Sequence, residues 1–215
     1  MINLYHGDCL SAMAKMPDKA YDLAIIDPPY GIGGDAIHAD RVYKGSGKLR
    51  NRALQQFKTD WDIAPSKEYF EHLFRVSVNQ IIWGGNYFAL PRNRCFVVWD
   101  KKQPWPNFSR AEYAWTSFDS PSKIFEFDNR TQDKIHPTQK PTKLYEYLLR
   151  NYAKQGDKIL DTHLGSGSIA IACHNLGFDL DAYEIDKDYY EAAIKRFDDH
   201  KRQGILFTPK AIGAI

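Results

Sequence analysis

Residues 159–170 read ILDTHLGSGSIA: the end of an apolar strand, a turn carrying Gly165 and Gly167, and the small, apolar start of a helix. Glycines in such a turn let the backbone approach a ligand and leave the first helix amides free to point at it. Downstream, 180–185 predicts a second strand, followed by a helix with Tyr190, Ala193, Ile194 and Phe197 on its inward face. Gly177 stands where a helix-ending left-handed residue is expected. Upstream, the apolar runs at 2–7, 21–26, 80–83 and 95–99 read as strands, with 111–118 and 123–127 as an antiparallel pair. A short helix over 9–16 ends at Pro17, Ser66 caps a helix carrying Tyr69, Phe70, Leu73 and Phe74, and Pro141 opens one carrying Leu144, Tyr147, Leu148 and Tyr152. This alternation predicts an α/β fold, a doubly wound and mainly parallel sheet, in one domain over 1–215. Ligands of such sheets lie beyond the carboxyl ends of the strands, near the point where strand order reverses.

Composition narrows the class. Hydrophobic residues at 43% and charged residues at 26% are ordinary globular values. No apolar run approaches the roughly 18 residues of a membrane span, and no basic-then-apolar leader is present, so a cytoplasmic protein is expected. Cys9, Cys95 and Cys173 are scattered, which speaks against a disulfide framework and a metal site. The net charge of +2 names no partner. Locally, RVYKGSGKLRNRALQQFK (41–58) holds six basic residues and no acid. It reads either as a solvated loop or as an arm that neutralises phosphates.

Two acids frame the glycine turn. Glu184 ends the next strand, twenty-three residues beyond Asp161, where a carboxylate takes ribose hydroxyls. The pair indicates a nucleoside-containing ligand, and Gly165-x-Gly167-x-x-Ala170 also satisfies the dinucleotide fingerprint. Asp161 would repel a pyrophosphate but attract a methionine ammonium, so S-adenosyl-L-methionine ranks ahead of NAD.

A further signal is DPPY at 27–30, directly after an apolar strand. Alone it could be a proline-stiffened turn with a capping Asp. However, the ordered set GDCL (7–10), DPPY (27–30), IIWGGNYF (81–88), HPTQKP (136–141) and DTHLGSGS (161–168) resembles, nearly from end to end, the β-class adenine-N6 DNA methyltransferases. In that class the catalytic motif precedes the cofactor loop, a circularly permuted order of the Rossmann-like methyltransferase fold.

The resemblance implies direct methyl transfer from S-adenosyl-L-methionine to the 6-amino group of a flipped adenine. Asp27 and the Pro28 carbonyl would accept the amino hydrogens, Pro29 would stiffen the loop, and Tyr30 would stack on the base. Asp27 also borders the cofactor. Asp8 would take the cofactor adenine, or else cap a helix. Thr138, Gln139 and Lys140 would meet its carboxylate, Asp161 its ammonium, and Glu184 its ribose, while Gly165, Ser166, Gly167 and Ser168 would underlie the methionine portion. Trp83, Asn86, Tyr87 and Phe88 would wall the pocket. Thr162-His163 stand where the family usually has Pro-Phe. Double-stranded DNA is the implied substrate. Residues 31–60 would form a flexible basic loop, with Arg41, Lys44, Lys48, Arg50 and Arg52 on phosphates. Residues 100–135 would form a short target-recognition region, with Trp105 and Arg110 as candidate base readers. A homodimer and a cognate restriction endonuclease are further implied partners. The alternatives are cytosine-N4 methylation, in which a Ser more often begins the catalytic motif, protein-glutamine methylation, in which an Asn does, an NAD-dependent oxidoreductase, and a catalytically silent DNA-binding module.

Overall fold

The structure, a computed structural model, describes residues 1–32, 62–103, 109–128 and 139–207, without the side chains of 204–207. The elements run β1 (Ile2–His6), α1 (Cys9–Met13), β2 (Tyr21–Ile26), α2 (Lys67–Val76), β3 (Ser77–Trp83), β4 (Phe96–Asp100), β5 (Ala111–Thr116), β6 (Lys123–Glu126), α3 (Thr142–Tyr152), β7 (Lys158–Asp161), α4 (Ser168–Leu176), β8 (Asp179–Glu184) and α5 (Lys187–Phe207). The strands form one sheet in the order β1-β8-β7-β2-β3-β5-β4-β6. Every described pairing is parallel except those of β5 with β3 and β4.

Both faces of the sheet are covered, and the strand sequences say why. In β2, Leu23, Ala24, Ile25 and Ile26 are each at most 1% exposed, an unbroken apolar run rather than an alternating one. Leu23 and Ile25 face one core, with Ile81, Trp83, Ile159 and the helices α3, α4 and α5. Ala24 and Ile26 face the other, with Met13, Tyr69, Leu73 and Val76 of α1 and α2. Helix α4 is buried from Ser168 to Cys173, as a helix that is apolar all round must be. Each fully buried Leu or Ile contributes about 1.5–3 kcal/mol.

Several features differ from the sequence expectation, β3 among them, which begins at Ser77. Helix α1 stops at Met13, and Pro141 occupies the cap position before α3 rather than its first turn. Strand β6 does not pair with β5: it lies parallel to β4, which separates the two. The connection SFDSPS (117–122) is too long and proline-broken for a tight hairpin. It crosses the end of β4 instead, where the Phe96 N–H donates to Ser122 Oγ at 3.0 Å. Residues 111–126, expected as part of a recognition region, therefore supply two strands of the central sheet. Among the described residues no helix is long and apolar enough to cross a membrane.

The strand order reverses between β7 and β2. From β7 the chain winds through α4 to β8; from β2 it winds through α2 to β3 on the other side. The DPPY segment and the glycine turn follow these two neighbouring strands, at the same sheet edge, as their positions in sequence predicted.

Candidate active site

Strands β1, β8, β7 and β2 are consecutive and parallel. Each delivers a carboxylate at or just past its C-terminal end: Asp8, Glu184, Asp161 and Asp27, in spatial order. The register makes the row, with His6 opposite Glu184, Asp161 opposite Ala182, and Ala24 opposite Leu160.

The first three acids are held mainly by backbone amides. Asp8 caps α1: its Oδ1 accepts from Leu10 N at 3.1 Å, its Oδ2 from Ser11 N at 3.0 Å and Ser11 Oγ at 2.5 Å. The Ser11 hydroxyl leads in drawing its pKa down. Glu184 accepts from Gly165 N at 2.8 Å and Asp186 N at 3.0 Å, and partial burial raises its pKa. Asp161 is 1% exposed and accepts from His163 N at 2.9 Å. Burial outweighs that bond and pushes its carboxyl up to about 8.

The glycine turn is braced from outside. Gly165 and Gly167 have φ of +53° and +72°, values that L side chains tolerate poorly, and a Cβ on Gly165 would meet only His163 O, at 3.8 Å. From α5, Arg196 donates to the Ser166 carbonyl at 2.7 Å and to Ser168 Oγ at 2.9 Å. Thr162 and His163 join Tyr69 in a short chain of polar contacts. Tyr69 OH and Thr162 Oγ1 lie 2.5 Å apart, and Thr162 Oγ1 and His163 Nδ1 2.9 Å. Burial holds the His163 pKa at about 4, so the ring is neutral and packs edge-on to Tyr69 like an aromatic.

Asp27 is held differently, by two side chains, Tyr30 of its own loop and Lys140, the latter backed by Glu112 and Lys101. Its Oδ1 accepts from Tyr30 OH at 2.9 Å, and its Oδ2 lies 2.5 Å from Lys140 Nζ. The Lys140 side chain is 3% exposed and also lies 3.1 Å from Glu112 Oε2. Glu112 Oε1 pairs in turn with Lys101. The result is a row of alternating charges, Lys101, Glu112, Lys140 and Asp27. Burial raises the Asp27 pKa, Lys140 opposes that, and Glu112 adds to it. Burial alone would favour neutral Lys140, but Asp27 and Glu112 outweigh it and hold its pKa above the usual lysine value. Burial likewise acts to raise Glu112, yet Lys140 and Lys101 bring it down to about 2.

Beside this row the Tyr30 ring stacks on Tyr87, with centres 4.9 Å apart and planes 17° apart, and Phe88 meets Tyr30 edge-on. Gly84, at φ +66°, lies against the Tyr30 ring: a Cβ there would fall 2.2 Å from Cε1. Just beyond, the Gly31 N–H donates to Asp62 Oδ1 at 2.9 Å, tying together the two described ends of the chain between 32 and 62.

Of the residues expected at the site, Asp27, Pro28, Pro29, Tyr30, Gln139, Lys140, Asp161, Gly165, Ser166, Gly167, Ser168 and Glu184 gather around the ends of β7, β8 and β2, with Asp8 at the end of β1. Thr138, His136, Trp105 and the basic residues Arg41, Lys44, Lys48, Arg50 and Arg52 lie outside the described residues. Glu112, Lys101 and Arg196 were not singled out from sequence, and Tyr69 was read only as a residue on the apolar face of its helix. The available signals were an acid inside the aromatic strand AEYAW and an arginine between the inward Ala193 and Phe197. Among the described residues no group of three or more His, Cys, Asp or Glu could hold a metal ion.

A family model described as DNA methylase matches residues 112–195, which carry Glu112, Lys140, Asp161, the glycine turn and Glu184. The chain is 26% identical to the type II methyltransferase M2.MboI of Moraxella bovis, over 91% of this chain and 87% of that protein. It is 24% identical to the type II methyltransferase M.HpaI of Haemophilus parainfluenzae, over 89% and 73%. These matches place DNA methylases among the proteins the chain is similar to. The fold is shared with solved methyltransferase structures. It superposes on the M1.HpyAVI–SAM complex with a TM-score of 0.61 at 19% identity, covering 92% of this chain and 100% of that one. The cytosine-N4-specific PvuII DNA methyltransferase gives a TM-score of 0.62 at 13% identity, covering 96% and 93%.

Proposed function

We propose that the chain is a DNA methyltransferase that uses S-adenosyl-L-methionine to methylate the 6-amino group of adenine. The row of four carboxylates at the switch point carries this reading. A line of acids is unfavourable for a pyrophosphate and suited to a nucleoside that carries an ammonium and a sulfonium. The space open above Gly165 gives such a ligand backbone to lie on. When bound, that cofactor supplies an electrophilic methyl group.

The chain's own residues do the rest. Glu184 keeps lone pairs for ribose hydroxyls after its two backbone bonds, and Asp161 faces the ammonium. Asp8 Oδ1 accepts a single described bond and retains a lone pair for the cofactor's adenine amino group. Gln139 and Thr138 complete the methionine side. Asp27 and the Pro28 carbonyl accept the hydrogens of the target amino group, holding its nitrogen in line and favouring the positive charge that develops on it. The prolines contribute no N–H to compete and fix the backbone that presents the carbonyl. A base flipped from the duplex stacks against the Tyr30–Tyr87 pair, a contact of about 1–3 kcal/mol. An acid at 27, rather than a serine, favours adenine over cytosine. Arg41, Lys44, Lys48, Arg50 and Arg52 neutralise DNA phosphates, and the reaction takes place in the cytoplasm.

Nucleoside mass spectrometry on DNA from a methylation-deficient host expressing the chain tests this, beside Asp27→Ala. N6-methyladenine present with the wild type and absent with the variant is the expected result. N4-methylcytosine would move the reading to the cytosine branch, and no modified base would overturn it.

A further inference from the structure

Among the described residues, two buried side-chain polar atoms have no hydrogen-bond partner: Trp83 Nε1 and Glu112 Oε2. Both flank the Lys140 ammonium, which lies 5.1 Å from the centre of the Trp83 ring and 3.1 Å from Glu112 Oε2, the latter off the line a hydrogen bond needs. Unpaired buried polar atoms are few in folded proteins. The Trp83 N–H is a donor that an ammonium cannot satisfy, but Glu112 Oε2 is an acceptor, and such an acceptor 3.1 Å from a cation indicates a second arrangement in which that cation completes its bonding.

Asp27 has the complementary difficulty. Its Oδ1 takes the Tyr30 hydroxyl and its Oδ2 the Lys140 ammonium, so both oxygens are engaged before any substrate arrives. Lys140 cannot simply withdraw, because a buried charge stripped of its partner is strongly unfavourable. It needs a second anion within reach, and Glu112 is that anion. Lys101 holds Glu112 from the far side.

We propose that Glu112 is a positioning residue for Asp27: it receives the Lys140 ammonium when the target amino group takes Asp27 Oδ2, freeing the acceptor without leaving a buried cation unpaired. This rests on the reading of Asp27 given above. The four charges sum to zero in either arrangement, so the exchange moves no net charge into the site. The titratable and charged groups facing Asp27 are Tyr30 of its own loop, Lys140 before α3, Tyr145 on α3, Glu112 on β5 and Asp161 at the end of β7.

Glu112→Gln keeps the shape and removes the charge. In ligand-free protein, a carbon-13 titration of the Asp27 carboxyl should move to lower pH in the variant. The variant lacks the acid that pushes Asp27 up, and it turns Lys140 wholly onto it. An unmoved midpoint overturns the proposal. With duplex DNA, kcat should fall at least about tenfold while KM for S-adenosyl-L-methionine stays within about twofold, and Glu112→Asp should recover part of the loss. A kcat equal to the wild type's, or a loss that comes with a lowered Tm and an unmoved Asp27 midpoint, also overturns it. If the wild-type chain transfers no methyl group to DNA, the functional reading falls, and the Asp27 titration still decides the positioning role.

Discussion

Asp161 and Asp27 follow neighbouring parallel strands and lie at one sheet edge, yet they are held in opposite ways. Asp161 and its partner Glu184 are fixed by backbone amides from within a residue or two of the glycine turn or of themselves. Asp27 is fixed by a tyrosine and by a lysine that answers to a second acid and a second lysine, drawn from β5, the end of β4 and the segment before α3. Amides cannot rotate away, so the first arrangement is a rigid seat. Side-chain ion pairs can exchange partners, so the second is an adjustable one. The rigid seat suits a ligand that is bound the same way in every turnover. The adjustable one suits a group that must admit a different partner at each step.

The largest expected effect falls on the adjustable side. Asp27→Ala should lower kcat by at least about 10²–10³, read as methyl transfer to duplex DNA, with S-adenosyl-L-methionine affinity little changed. A comparable loss of affinity would mean that the two seats are not separate. Gly84→Ala comes next. A left-handed non-glycine residue costs about 1–2 kcal/mol, and its Cβ would strike the Tyr30 ring. Tm should fall by roughly 2–8 °C and transfer should drop with it; an unchanged melt would show that Tyr30 yields freely.

On the rigid side the main expectation concerns pH. The folded Asp161 carboxyl titrates at about 8, whereas an unfolded Asp titrates near 3.9. Between those values the folded chain keeps a proton that the unfolded chain has lost, so stability falls as pH rises through the window. A cationic ligand must expel that proton. Cofactor affinity should therefore rise by up to about tenfold per pH unit from 6 to 8, and Asp161→Asn should flatten both trends. Calorimetry in buffers of different ionisation enthalpy would count the proton. The smallest effect on the site is expected from Thr162→Val. It leaves Tyr69 OH without its partner, at about 1–3 kcal/mol in stability, but it touches no bond to Asp161 or Glu184. Cofactor affinity should hold within about threefold. A larger change would show that the seat depends on side chains after all.

The same contrast governs what could be read from sequence. A strand, a glycine turn and an acid at the next strand end lie within about thirty residues, so Asp161, Gly165, Gly167 and Glu184 were legible from spacing and turn chemistry. The doubly wound sheet followed from the alternation of elements. Lys140 was visible as part of a motif, but its pairing with Asp27 and Glu112 was not. Nothing local distinguishes Glu112 in RAEYAW from an acid on a solvated strand face, because its partners come from other strands and loops. The misplacement of β6 has the same origin: short strands separated by a polar connection read as a hairpin, and only the crossing over β4 says otherwise. Asp8 shows the converse case, since the capping bonds that its position suggested are present in full.

The contact between Gly31 and Asp62 bears on how much chain can be carried beside the site. The polypeptide leaves the sheet edge after Tyr30, and the Gly31 N–H is clasped to Asp62 where the described chain resumes. Because the clasp fixes both ends, the intervening stretch can lengthen at a closure cost of only about 0.6 kcal/mol per doubling. The sheet and its four acids would not register the change.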